Sequence, residues 1–310
     1  MNIENLLRET LSDMAGEERP PAPERFLRPL ARRPRSRGLA LMAATAVAAM
    51  VVGSTLVVQQ MSVPAPLGAA PRPSPSLQVG ATVNVAAGMR LSLLFKQLSQ
   101  LTGRPVADFE RAAKDGAALG LPSYAGRRLE GFAFPGTYEF SPAASPAEIL
   151  RPMVARFEDA AEAADLADGA RRAGRTPLEI VTIASIVQAE AGRDEDMTKI
   201  SRVIHNRLDR KMLLQMDSTI LYGLNKYGTE ATLKDARSPS PYNTYRRPGL
   251  PPGPIGSPGA EAIRAALHPA RGTWLYFVAI DPKKPVMKFA TTESERAALL
   301  EERRKNLKGS

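Results

Sequence analysis

The chain contains no cysteine. Thiol nucleophiles, thiolate zinc sites, iron–sulfur clusters and disulfides are therefore excluded. Histidine is nearly as scarce, with His205 and His268 the only two. They cannot build a histidine-rich metal site, and no H-E-x-x-H motif exists. Neither has a G-x-S-x-G turn to serve, so a serine triad has no support. If the chain is an enzyme, carboxylates are left to move protons, with no metal and no cofactor expected.

Basic residues outnumber acidic ones, 42 to 32, for a formal net charge of +10. That balance suits acidic partners, whether nucleic acid, anionic lipid or the anionic polymers of a cell wall. Six arginines crowd positions 25–37, within a polar, Pro-rich tail over 1–37. They abut one uncharged run, Gly38 to Val58, after which the next ionisable side chain is Arg72. About 20 apolar residues span a hydrocarbon core. The run competes as an uncleaved anchor, a cleaved signal peptide or a buried helix; its length and one-sided basic flank favour the anchor. The expected topology is a transmembrane helix over 38–59 in the inner or plasma membrane. The tail would be cytoplasmic and the rest extracytoplasmic. A basic cluster at a membrane flank also argues against nucleic acid as partner. Residues 60–80 hold five prolines without periodicity and read as a linker.

Residues 81–125 read as a small unit. Val83 to Val85 suit a strand and Gly88 a turn. Leu91, Leu94, Phe95, Leu98 and Leu101 recur at helical spacing up to Gly103, and a second helix follows from about Val106. Leu129 to Phe140 alternates large and small residues, as extended chain or as a hairpin turning at Pro135-Gly136. An Ala-rich helix is expected over 146–172.

Thr176-Pro177-Leu178-Glu179 is a capped helix start. The helix that follows is apolar on most faces, which marks it as central and buried, and Gly192 is its expected stop. Glu190 lies seven, four and three residues after Ile183, Ile186 and Val187, on the same face as apolar side chains. It also falls in the last turn, where the helix dipole disfavours negative charge. Both effects favour the protonated form that a general acid needs. The competing reading is a solvated glutamate at a helix end.

A helix from Asp194 to Leu208 follows, with Met197, Ile200, Val203, Ile204 and Leu208 facing inward. Gln215 and Asp217 flank the start of another near Ser218. Asp217 can be its N-cap or a second polar group facing Glu190. Residues 238–259 carry seven prolines, and a stiff loop this long is rarely idle. Its Tyr242, Asn243, Thr244 and Tyr245 combine flat faces with hydrogen-bonding groups, which suits a sugar. They equally suit a loop docked by its tyrosines. Thr273 to Ile280 reads as a buried strand, Val286 to Ala290 as its hairpin partner, and a charged helix starts at Glu293.

The segments ASIVQAEA (184–191), NRL (206–208), LLQMDSTILYG (213–223), SPYNTYRRPGLPPGPIGSPG (240–259), AALHPA (265–270) and WLYFVA (274–279) together resemble the MltG/YceG family of endolytic murein transglycosylases. LEGFAFPGTYEF resembles the family segment ahead of the catalytic domain. Val83–Leu101 resembles a LysM-like module. After the basic tail over 1–37, the membrane helix over 38–59 and the linker over 60–80, the resemblance implies an α+β protein with a LysM-like module and the connecting LEGF segment over 81–143 and a catalytic domain over 144–310 ending in a β-hairpin. It implies Glu190 as the catalytic residue, with Gln215, Asp217, Tyr242, Asn243, Thr244 and Tyr245 along the cleft. Its implied substrate is the peptidoglycan glycan strand, cut between N-acetylmuramic acid and N-acetylglucosamine to leave a 1,6-anhydro end. Membrane lipid and peptidoglycan synthases are the implied partners. The chain departs from the family pattern at Gly136, Gln188, Lys288 and Arg296, where an Asp, an acid, a His and a His are usual. A water-using muramidase and a non-catalytic wall-binding protein are the alternatives.

Overall fold

Val83 and Val85 share one face of the strand Ala81–Val85 (β1), and both are buried. The computed structural model describes residues 80–281, 284 and 286–308. The run 38–58, the basic tail and all but the last residue of the linker therefore lie outside the described residues. Among those described, no helix is long and apolar enough to cross a membrane.

After β1 come the helices Leu91–Thr102 (α1), Val106–Ala112 (α2) and Gly116–Leu119 (α3), then a short 3-10 turn at Ser123–Ala125. Leu94, Leu98 and Phe109 are fully buried, and Phe95 stacks on Phe109 at 6.2 Å. Gly103 ends α1 with a left-handed backbone, φ 70°. Leu129–Phe140 is not a hairpin. Its first part turns inward, with Phe132 edge-on to Phe157 at 4.8 Å. Its second part, Gly136–Phe140 (β2), pairs antiparallel with β1, Val83 opposite Tyr138. Alternation reads the same whichever strand is the partner, so only the tertiary fold could choose β1.

The Ala-rich segment is two helices, Pro146–Ala163 (α4) and Leu166–Arg172 (α5). Asp165 breaks it with a left-handed backbone, φ 52°. The break lets α5 approach Ala260–Leu267 (α10) closely: a Cβ on Gly169 would lie 2.8 Å from Leu267 Cδ2.

The central helix Pro177–Glu190 (α6) begins in a capping box, with Thr176 Oγ1 accepting from Glu179 N at 3.2 Å and the Glu179 carboxylate accepting from Thr176 N at 2.7 Å. All eight residues from Ile180 to Val187 are buried. The helix packs against α5, α10 and Asp194–Asp209 (α7). Burial on every face contributes roughly 1.5–3 kcal/mol for each large aliphatic side chain. It leaves α6 only its two ends in which to reach solvent, the exposed cap at Thr176 and the C-terminal end. That end is Ala191 in extended backbone, φ −77° and ψ 121°, rather than a glycine turn at Gly192.

On α7, His205 Nε2 donates to the carbonyl of Ala266 at 3.0 Å, and burial lowers its pKa. It is spent on pinning α7 to α10. Two short helices, Asp217–Gly223 (α8) and Leu233–Ala236 (α9), lead into the Pro-rich loop. Tyr276–Asp281 (β3) and Val286–Ala290 (β4) form the expected antiparallel hairpin, and Glu293–Lys308 (α11) packs against it. The architecture is α+β, with two separate two-stranded sheets among the described residues.

Candidate active site

Glu190 is the last residue of α6, and its half-buried carboxyl extends past the helix end toward the start of α8. Oε1 accepts from Ser218 Oγ at 2.6 Å and lies 3.4 Å from Ser218 N. Burial pushes the Glu190 pKa up to about 7, and the charge of Asp217 adds to the rise. The two Ser218 bonds oppose it by favouring the carboxylate. Desolvation therefore prevails, and the acid can hold or release its proton near neutrality.

Asp217 is the first residue of α8 and not its cap, which is Met216. Met216 N donates instead to Thr244 Oγ1 at 3.0 Å. Asp217 Oδ1 accepts from Tyr245 OH at 2.7 Å. Burial raises the Asp217 pKa, and the Tyr245 bond lowers it. Glu190, Ser218, Asp217 and Tyr245 thus form one connected polar group.

The other candidates divide by what they touch. Asn243 is 1% exposed, and its amide donates to the carbonyls of Ala236 and Ser238 and accepts from Tyr245 N. Thr244, 2% exposed, bonds Met216 N and Thr219 Oγ1. Both hold the loop in place and neither is open to a ligand. Gln215 has a left-handed backbone, φ 52°, and its amide oxygen is 3.4 Å from Arg207 Nη1. Tyr242 is half-buried, its ring 4.8 Å from that of Tyr222, and it faces a cavity.

The Pro-rich loop is tied to α6 through Ser185 Oγ, which accepts from Ile255 N at 3.0 Å, and Gln188 Oε1, which accepts from Gly259 N at 3.0 Å. Gln188 therefore has a use for its amide where the family pattern has an acid. The loop also bonds the β1–α1 turn, Gly88 N to Ser257 O at 2.7 Å and Ser257 N to Met89 O at 2.9 Å. The approach is so close that a Cβ on Gly256 would lie 2.7 Å from Gly88 O. Lys288, at another departure, pairs with Glu302 of α11 at 2.6 Å. Arg296 pairs with Glu293 and lies over the Tyr276 ring. At Gly136, a built Cβ meets the Arg156 guanidinium, which occupies the space a side chain would take.

Four residues of this region were not singled out from the sequence: Ser218, Glu130, Tyr222 and Arg207. Ser218 and Tyr222 lie inside LLQMDSTILYG, and Glu130 inside LEGF, but spacing along the chain does not bring these segments together. Glu130 accepts from Tyr222 OH at 3.1 Å and from Leu91 N at 3.3 Å. Burial pushes its pKa up to about 7, against the Leu91 and Tyr222 bonds and the Arg90 charge.

The sequence profile of the YceG-like family matches residues 44–302. The chain belongs to the YceG-like family. It is 38% identical over 152 residues to a Bacillus subtilis protein named endolytic murein transglycosylase, an alignment covering 49% of this chain and 42% of that one. It is 35% identical over 157 residues to a protein of the same name from Streptococcus pneumoniae, covering 49% of this chain and 28% of that one. The chain thus spans less than half the length of these curated relatives. A crystal structure of a yceG-like protein from Listeria monocytogenes superposes with a TM-score of 0.64 at 28% identity, covering 71% of this chain and 75% of that one.

Proposed function

We propose that the chain is an endolytic peptidoglycan lytic transglycosylase that cuts the β-1,4 bond between N-acetylmuramic acid and N-acetylglucosamine. The observation that carries this reading is the Glu190 carboxyl, half-buried at the end of a fixed helix and poised near pH 7. Glu190 protonates the glycosidic oxygen as the C1–O bond breaks. The carboxylate then takes the proton of the muramoyl C6 hydroxyl, whose oxygen bonds to C1. The product is a 1,6-anhydro end, no water is consumed, and Glu190 recovers its proton. A pKa near the working pH suits a group that acts first as acid and then as base. Ser218 stabilises the intermediate carboxylate, and Asp217 keeps it from becoming too weak a base.

A hydrolytic muramidase is the second reading, favoured by one observation: Glu130 and Asp217 both place further carboxyls beside α8. Hydrolysis needs a water and a second carboxylate. Mass spectrometry of digested murein separates the two. Anhydro-muramic ends are expected; reducing ends carrying the added water would replace the lyase by a hydrolase.

Residues 81–143 are read as a LysM-like glycan-binding module with its connecting segment, and 144–310 as the catalytic domain. The uncharged run 38–58 with its arginine flank supports a single-pass anchor in the cell membrane, catalytic domain outside. Such a position suits action on new strands beside peptidoglycan synthases. The full chain is expected to stay with membranes through alkaline carbonate washing, and release into the wash would refute the anchor.

A further inference from the structure

The proposed reaction uses Glu190 and leaves Glu130 without a task. Two cavities, of about 380 and 280 Å³, meet at Glu130, Tyr222 and Tyr242. Arg90, Asn225 and Ser240 are among the other residues that line the first, and Arg128 and Pro254 border the second. Cavities of this scale can seat a single sugar ring.

Their position follows from α8. Ser218 and Tyr222 are four residues apart on this helix, so they share one face, their Cβ atoms about 5–6 Å apart. Ser218 holds Glu190 and Tyr222 holds Glu130. The cavities and the carboxyl proposed to cut the strand are therefore tied to the same face of α8. Gly223 helps keep this wall tight, because a Cβ there would lie 2.7 Å from Tyr242 Cβ. Tyr222 and Tyr242 present tilted rings at an interplanar angle of 57°. Arg90, over the Tyr222 ring at 5.4 Å, lines the first cavity with a cation.

We propose that this pocket is a sugar subsite for an N-acetylhexosamine unit of the strand, in which Glu130 accepts a hydrogen bond from the sugar and Tyr242 packs on its ring. The inference rests on the glycan-cleaving reading above. A carboxylate has about four lone-pair sites. Leu91 N and Tyr222 OH leave Glu130 capacity for a ligand. A purely structural Glu130 would tie α1 to α8 and do no more. A positioning residue must also change how sugar binds.

The test measures binding by calorimetry with a murein tetrasaccharide, in a Glu190→Gln chain that does not consume it. Adding Glu130→Gln, which exchanges a charged acceptor for a weaker neutral one, is expected to weaken binding about threefold to tenfold. Adding Tyr242→Ala instead, which leaves Glu130 intact, is expected to do the same. With Glu190 restored, Glu130→Gln is expected to raise KM more than it lowers kcat. Unchanged affinity in both double variants would overturn the subsite while leaving the catalytic reading standing. If Glu130→Gln fails to fold, the Tyr242→Ala result decides. A Glu190→Gln chain that binds no tetrasaccharide would remove the glycan reading and the subsite together.

Discussion

Replacing Glu190 by glutamine is expected to lower murein cleavage by about a hundredfold to ten-thousandfold, the range for removing a positioned acid–base group. Glutamine keeps the shape and can still accept from Ser218 Oγ, so the fold should survive. Release of soluble fragments from purified murein is the measurement. A variant that cleaves as well as the parent would remove Glu190 from the mechanism.

The same substitution should alter stability with a definite sign. Glu190 has its folded-state pKa raised from 4.5 to about 7, so the folded chain binds the extra proton between those values. Stability from this group is fully present below about pH 4.5. It is lost as pH rises through about 7, because ionising the half-buried acid opposes folding. The glutamine chain should lack this part of the decline and should exceed the parent in stability at pH 8. Glu130 contributes a slope of the same sign, so the decline flattens rather than vanishes. Urea unfolding at pH 4.5, 6 and 8 reads the difference. A parent curve and a variant curve that stay parallel would mean that Glu190 titrates normally.

The second large effect is expected at Arg207, which takes no part in the proposed proton transfer. Its side chain is 6% exposed on α7. Nε donates to Leu275 O at 2.6 Å, and Nη1 to Leu214 O at 2.7 Å and Leu213 O at 3.2 Å. The guanidinium also lies 5.0 Å from the centre of the Tyr276 ring. One side chain thus joins α7, the segment ahead of α8, and the approach to β3. Arg207→Met keeps most of the volume but leaves these carbonyls without their donor. Each buried unsatisfied group costs about 1–3 kcal/mol. A loss of about 3 kcal/mol or more is expected, large against a typical stability of about 5–15 kcal/mol. Because residues 213–215 lead into Asp217 and Ser218, cleavage should fall as well at temperatures where the variant remains folded. A shift below about 1 kcal/mol in urea would show that Arg207 does not hold this segment.

These two residues differ in how far the sequence exposes them. Glu190 was reachable by local argument. The capping box at Thr176 sets the phase of α6, its unbroken apolar content demands burial, and the phase places Glu190 at the end of the buried rod. The existence of most helices and of the final hairpin followed in the same way, since periodicity, caps and β-branched runs act over a few residues. The family motifs added order along the chain. Arg207 lies within the family segment NRL, but local periodicity gave it no role, because an arginine on an amphipathic helix ordinarily faces water.

What only the tertiary structure decided concerns partners distant in the chain. Whether Leu129–Phe140 folds on itself or pairs with β1 depends on which strand arrives beside it, and alternation is blind to that. Asn243 and Thr244 have side chains suited to a sugar, yet Asn243 is consumed by backbone groups of Ala236, Ser238 and Tyr245, and Thr244 by Met216 N and the Thr219 hydroxyl. Asp217 is a good capping residue, yet the helix starts one residue earlier than a cap at 217 requires and Tyr245 takes its carboxylate. Glu190 and Ser218 are 28 residues apart, and Glu130 and Tyr222 are 92. Residue type and local spacing set what each of these side chains can do. Long-range packing around α6 and α8 sets which of them meet, and desolvation at that meeting is what raises the two carboxyls toward neutrality.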